Sequence, residues 1–247
     1  MLKQIPNIIT SLNLLSGCVA VLFALSGDLV SAAFFAIAGI FFDFFDGLAA
    51  RLLKAESDIG LQLDSLADMI TSGLVPGVVM LQLLSLALNG DYFVITEMFA
   101  QDSWNHSGLY LPLIGLLITV GAAYRLAKFN VDTRQTTGFI GLPTPANTLL
   151  ILSLPLILHF QSSEALKDIV LNKWVLIGLT LVSCILMNAE IRLFGLKFKK
   201  WDFKSNAVRY VFLLISLGLL IALKFIAIPA IILMYLLLSI VSKERVA

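Results

Sequence analysis

The sequence predicts an all-α, polytopic integral membrane protein, a helical bundle of about eight transmembrane helices. Three observations predict it. Of 247 residues, 59% are hydrophobic and only 13% charged, where an average soluble domain is about 25% charged. Mean hydropathy is +0.96. Apolar runs of about 20 residues, the length that crosses a hydrocarbon core, recur along the whole chain. This composition excludes a soluble enzyme, a disordered tail and a nucleic-acid partner. A net charge of +1 implies no bulk attraction to a charged partner.

The runs fall at roughly 7–26, 30–53, 60–87, 109–128, 146–160, 174–190, 207–224 and 226–242. The first has small residues around Ala24-Leu25-Ser26, as signal-peptide cleavage sites do. Its length and its polar entry (Asn7, Thr10, Asn13) favour a retained helix. The second and third carry aspartates near the ends that face each other in sequence. The fourth follows a segment, 88–108, without Lys or Arg, and ends on Arg125 and Lys128. The fifth is short. The last two are separated by almost nothing, so six or seven spans stay open as counts.

With eight spans, 14 of the 17 Lys and Arg residues fall on one side, and only Lys167, Lys173 and Lys224 on the other. The positive-inside rule then places both termini in the cytoplasm of a cell membrane protein. Cys18 and Cys184 lie inside apolar runs and read as packing residues. His106 and His159 are too scattered for a histidine metal site. Residues 1–247 form a single membrane domain, without an internal repeat or a soluble appendage.

Four acids stand where acids are expensive: Asp43 and Asp46 in the second span, Asp64 and Asp68 in the third. An ionisable side chain inside a membrane helix costs several kcal/mol and marks a functional site by default. At about 100° per residue, Asp43, Asp46, Gly47, Ala50 and Arg51 share an arc of about 140° on one helix. Asp64 and Asp68 are one turn apart, on a face with Gly60. The link between the two spans is a few residues, so the helices are antiparallel neighbours. All four carboxylates then meet at one level, roughly 10–15 Å inside the helix ends. Together they need cations or protons to neutralise them. Oxygen ligands without His or Cys select hard ions such as Mg²⁺, Mn²⁺ or Ca²⁺. Gly47 and Gly60 leave the backbone approachable, and Arg51 offers a planar donor suited to phosphate. The set reads as a metal–diphosphate site.

The full spacing is Asp43-x2-Asp46-Gly47-x2-Ala50-Arg51-x8-Gly60-x3-Asp64-x3-Asp68. It resembles the signature of the CDP-alcohol phosphotransferase family, with every position filled. Ile5-Pro6-Asn7-Ile8-Ile9-Thr10, Ser72-Gly73-Leu74-Val75-Pro76, Arg125-Leu126-Ala127-Lys128-Phe129-Asn130-Val131 and Gly141-Leu142-Pro143-Thr144-Pro145-Ala146 are similar to segments of its phosphatidylserine synthase branch. Asn13, after the first of these segments, is also similar to that branch, at a position where related synthases often carry Arg. Two positions depart from the usual pattern. Lys128 stands where Arg is commoner, which loses the bidentate fork and keeps the charge. Leu74 replaces an aromatic.

The resemblance implies transfer of a phosphatidyl group from CDP-diacylglycerol to the hydroxyl of L-serine, with release of CMP. It implies Mg²⁺ or Mn²⁺, as a pair of ions held by Asp43, Asp46 and Asp64, with Asp68 touching one ion and acting as general base. Asn7, Thr10, Gly47, Ala50, Arg51 and Gly60 would bind CDP-diacylglycerol. Arg125, Lys128 and Asn130 would bind the serine carboxylate or a phosphate. Residues 1–190 would be the family core, and 191–247 two additional C-terminal helices. Membrane lipids and a second copy in a homodimer are the implied partners.

Blander readings stand beside these. Arg125 and Lys128 serve equally as topological anchors, and Asn7, Thr10 and Asn13 as satisfiers of backbone at a helix entry. The Lys197–Trp201 cluster reads as an interfacial lipid anchor. Another acceptor, glycerol 3-phosphate or an inositol phosphate, is the alternative within the family. An ion path in a cation transporter is the alternative outside it.

Overall fold

The computed structural model describes residues 4–96, 110–132, 138–194 and 203–241. Lys3, Arg134, the Lys197–Trp201 cluster, Lys243, Arg245 and His106 lie outside these residues. The described chain is helical apart from one small ribbon. The helices are α1 (Ile5–Leu25), α2 (Leu29–Leu52), α3 (Asp58–Asn89), α4 (Leu111–Val131), α5 (Thr144–Phe160), α6 (Glu164–Val170), α7 (Lys173–Asn188), α8 (Phe203–Leu223) and α9 (Ala227–Val241). The ribbon pairs β1 (Gly138–Ile140) with β2 (Arg192–Phe194) antiparallel, Phe139 opposite Leu193.

Helix ends follow local chemistry. Pro6 occupies the first turn of α1, where its missing N–H costs nothing. Asp28 caps α2 by accepting from the Ser31 N–H at 3.0 Å, and Ser57 caps α3 by accepting from the Gly60 N–H at 3.1 Å. Gly90 ends α3 with φ +76°, a conformation that glycine adopts freely. Asn172 caps α7, accepting from the Trp174 N–H at 2.9 Å.

The third helix is the centre of the bundle. Every residue from Val75 to Ser85 is buried, as an all-round apolar helix must be. α1 packs on α2 and α3, α5 on α2 and α3, and α7 on α4 and α3. Midway, Met69–Leu74 forms a π-helical turn directly after Asp68. Its carbonyls are held by neighbouring hydroxyls. Thr148 donates to the Ser72 oxygen at 2.9 Å and Thr119 to the Gly73 oxygen at 3.1 Å.

Five described helical runs are long and apolar enough to cross a membrane, or six with α6 and α7 joined at their 51° bend. α5 is apolar but shorter. One of the five is the continuous stretch Val208–Ile240, which does not run straight. The rings of Phe212 and Tyr235 are 5.7 Å apart, whereas a straight helix would separate them by about 34 Å. α8 and α9 are therefore an antiparallel hairpin that reverses at Lys224–Ile226. Gln161, at the end of α5, binds this reversal. Its amide donates to the Leu223 oxygen at 3.0 Å and accepts from the Phe225 N–H at 2.8 Å. The seventh and eighth runs are thus two separate helices. Cys184 donates to the Leu117 oxygen at 3.2 Å, but Cys18 is exposed. Its expected packing role is corrected: on α1 the buried stripe is Thr10, Asn13, Gly17 and Ala20, and Cys18 lies beside it.

Gly115 is where α4 meets α3. A Cβ there would lie 2.5 Å from the Leu81 nitrogen and 2.9 Å from the Met80 carbonyl carbon. Backbone cannot yield as a side chain does. Gly115→Ala is therefore expected to destabilise the fold by roughly 1–3 kcal/mol, read as a lowered thermal midpoint in detergent. An unchanged midpoint would show that the two helices part without cost.

Candidate functional site

The acids converge because a five-residue link, 53–57, joins α2 to α3. Carboxylate oxygens of Asp43, Asp46 and Asp64 lie within 4.8 Å of one another. Asp46 is 5% exposed, and its Oδ2 is buried without a hydrogen-bond partner. Three carboxylates so close, one with an orphaned oxygen, form a donor set suited to a hard divalent cation. Asp68 stands outside this trio. Its Oδ1 accepts from the Asn13 side chain at 3.4 Å.

Two cavities flank the cluster. The first, about 550 Å³, lies between α1, the end of α2 and the start of α3. Its wall includes Asn7, Thr10, Gly47, Ala50, Arg51 and Gly60 together with Asp46 and Asp64. No atom would lie within 4 Å of a Cβ at Gly47, so that stretch of wall is open backbone. Arg51 donates its Nε to the Gly47 oxygen at 2.9 Å, which fixes the guanidinium at the rim.

The second cavity, about 260 Å³, lies on the other side of α3. Asp43, Asp64, Asp68, Arg125, Asn130 and Thr144 line it, with Phe129, Phe139, Pro143 and Pro145 as apolar wall. Arg125 is 7% exposed. One terminal nitrogen donates to Thr144 Oγ1 at 3.3 Å, while its Nε is buried without a partner. Asn130 is held by Ser65, to which its amide donates at 2.9 Å.

Twelve of the thirteen residues singled out from sequence line these two cavities. Lys128 does not. It faces away and pairs with Glu190 at 2.9 Å, tying the end of α4 to the chain entering β2. Sequence reasoning missed Ser65, Thr144 and Phe139 as cavity residues. Ser65 lies between two aspartates, and Thr144 within a motif already noted, so both left a signal. Phe139 reaches the cavity through a three-residue strand that has no readable periodicity.

An all-helical membrane protein with a carboxylate trio between two cavities at one end of its bundle defines a class: an intramembrane acidic site with access from two sides. The chain belongs to the CDP-alcohol phosphatidyltransferase family, whose model matches residues 3–186. Among curated relatives, the CDP-diacylglycerol–serine O-phosphatidyltransferase of Bacillus subtilis is 35% identical over 148 residues, covering 58% of this chain and 71% of that one. The protein of the same name from Helicobacter pylori is 29% identical over 213 residues, 84% of this chain and 79% of that one. The archaetidylserine synthase of Methanothermobacter thermautotrophicus is 30% identical over 152 residues, 60% of this chain and 56% of that one.

The trio makes a direct prediction. Mn²⁺ titrated into the purified protein and followed by electron paramagnetic resonance should bind. Asp43→Asn, Asp46→Asn and Asp64→Asn should each weaken that binding at least about tenfold, since a neutral amide does not balance a divalent charge. Wild-type affinity in any of the three would remove that residue from the cation site.

Proposed function

We propose that this protein is a CDP-diacylglycerol–serine O-phosphatidyltransferase that works at the cytoplasmic face of the cell membrane. The observation that carries this reading is the carboxylate trio between a large cavity and a small one. The large cavity has room for a cytidine nucleotide, with Arg51 at its rim for phosphate and Asn7, Thr10, Gly47, Ala50 and Gly60 as wall. Its level, at one end of the bundle, suits a lipid whose diphosphate sits among headgroups.

The small cavity favours serine as acceptor. Among the described residues Arg125 is the one cation that lines it, and three carboxylates share that lining. A zwitterion matches that pairing of charges: carboxylate toward Arg125 and Asn130, ammonium toward the acids. A phosphorylated acceptor, with two negative charges, would meet one arginine and three aspartates.

Asp43, Asp46 and Asp64 are the residues that would hold Mg²⁺ or Mn²⁺ as a pair of ions, with Asp68 contributing to one of them. When bound, such ions neutralise the diphosphate and polarise the phosphorus under attack. The rest falls to the chain. Asp68 lines the acceptor cavity outside the trio and accepts the serine hydroxyl proton as general base. The serine oxygen forms a bond to the phosphorus that carries diacylglycerol. The bond from that phosphorus to the bridging oxygen breaks, and CMP leaves with its charge met by Arg51. Both termini lie on the cytoplasmic side in this reading. Residues 1–190 form the catalytic core, 191–247 are an added helical hairpin, and the working unit is a homodimer.

Purified protein in detergent, given CDP-diacylglycerol, Mg²⁺ or Mn²⁺ and a panel of acceptors, should release CMP with serine alone. Release driven equally by glycerol 3-phosphate would overturn the acceptor assignment. Cation flux into liposomes without CMP release would make the protein a transporter. Arg125→Ala should raise the serine KM about tenfold or more, with a smaller change for the liponucleotide. Lys128→Ala should do less, because its partner is Glu190. Equal effects on both substrates would place the serine carboxylate elsewhere.

Gly47→Leu tests the first cavity. A Cβ there meets no neighbour within 4 Å, the cavity lies beyond it, and replacing a mid-helix glycine gains up to about 1 kcal/mol. The thermal midpoint should therefore hold or rise while nucleotide binding, measured by calorimetry, is lost. Retained binding would mean that the nucleotide lies elsewhere.

A further inference from the structure

We propose that Tyr235, on the C-terminal hairpin, is a positioning residue for the acceptor cavity: it holds the β1–β2 ribbon so that Phe139 stays in the wall of that cavity. The inference rests on the reading of the smaller cavity as the serine site. It gives a task to a hairpin that, among the described residues, lines neither cavity.

The ribbon cannot hold itself. Each strand has three residues, and two short strands alone are marginally stable. No tight turn joins them, since α5, α6 and α7 lie between. Its register therefore depends on what each strand is docked on. One end is tied to the chain around the end of α7. The Gly141 N–H donates to the Ile191 oxygen at 2.9 Å, and the Leu142 N–H to the Leu186 oxygen at 2.9 Å. At the other end Gly138 pairs with Phe194, and there the hairpin takes hold.

The Tyr235 hydroxyl donates to the Phe194 oxygen at 2.9 Å. Its ring centroid lies 4.9 Å from that of Phe194 and 5.7 Å from that of Phe212 on α8. Phe194 and Phe212 are themselves 5.7 Å apart. Three rings clasp the strand end, and the hydroxyl adds the one directed contact, which a phenylalanine would not supply. The hairpin is anchored in turn. α9 packs on α5 as well as on β2, with Ile232 buried in the core. Gln161 holds the reversal at the far end. α5 begins with Thr144 and Pro145, which line the same cavity. α9 thus fixes the ribbon relative to another part of the cavity wall.

Phe139 is what the ribbon brings to that wall. It lines the cavity together with Phe129 and Arg125, and the Arg125 guanidinium lies 5.9 Å from the Phe129 ring centroid. An aromatic wall keeps water from Arg125, and a charge without water around it attracts a carboxylate more strongly. A ribbon released at its Phe194 end spends less time closed, and affinity for the acceptor falls by that fraction. The larger cavity and the carboxylate trio are bounded by other elements and keep their geometry.

Tyr235→Phe keeps the ring and removes the hydroxyl. It should raise the serine KM about three- to tenfold, with kcat, the KM for CDP-diacylglycerol and the Mn²⁺ affinity within about twofold of wild type. Phe139→Ala should raise the serine KM at least as much, and Tyr235→Phe should add nothing in that background, because one residue acts through the other. Hydrogen–deuterium exchange reads the ribbon without any substrate: residues 138–142 should exchange faster in Tyr235→Phe, while α2 and α3 stay as in wild type. Unchanged exchange at the ribbon, an additive loss in the double variant, or equal shifts in both KM values would each overturn the inference. So would an unchanged serine KM in Tyr235→Phe where Phe139→Ala raises it. Faster exchange at the ribbon with an unmoved serine KM in Phe139→Ala would instead remove the serine reading of the cavity.

Discussion

Carboxylates held within a bilayer at one level repel one another and lose their hydration, at a cost of several kcal/mol each. Everything near this end of the bundle answers that cost. A five-residue link forces α2 and α3 side by side, so the acids face one another rather than lipid. Glycines at 39, 47 and 60 leave space that side chains would fill. Among the described residues no Lys or Arg forms an ion pair with the trio, and Asp46 keeps an orphaned oxygen. A site assembled at that expense suits a positive ligand, and in the proposed reading the rest of the architecture delivers one substrate to each flank.

The two cavities divide that work. The larger is bounded by helices α1 to α3 and is rimmed by Arg51, the smaller by α3, α4, the start of α5 and β1. The third helix is their shared wall, which is why both Asp64 and Asp68 sit on it. Its π-helical turn widens the winding just beyond Asp68, and threonines from α4 and α5 take up the carbonyls there. Polar pins of this kind hold a helix in place in a setting where apolar packing alone does not discriminate well against lipid.

The C-terminal hairpin stands apart from this chemistry yet touches its frame. The Tyr235 hydroxyl donates to the Phe194 oxygen at 2.9 Å, and Phe194 is in β2, whose partner strand carries Phe139 into the smaller cavity. At its far end the hairpin is bound by Gln161 from α5. The hairpin therefore braces the ribbon that walls the smaller cavity.

By itself the sequence determined the helical membrane class, the placement of the spans to within a few residues, and the family. Composition and 20-residue periodicity depend on solvent, not on tertiary detail, and the aspartate spacing is fixed by helical geometry once the two spans are neighbours. Arg51, Gly47 and Gly60 were legible for the same reason. What only the tertiary structure decided was which groups face which. Lys128 and Arg125 are three residues apart on one helix, yet Arg125 enters the cavity and Lys128 leaves it for Glu190, because an ion-pair partner 62 residues away cannot be read from local pattern. Asn13 was visible as a polar residue in an apolar run. Its side chain meets Asp68, 55 residues distant, and its carbonyl meets Thr71 where the helical winding changes, and no periodicity encodes either contact.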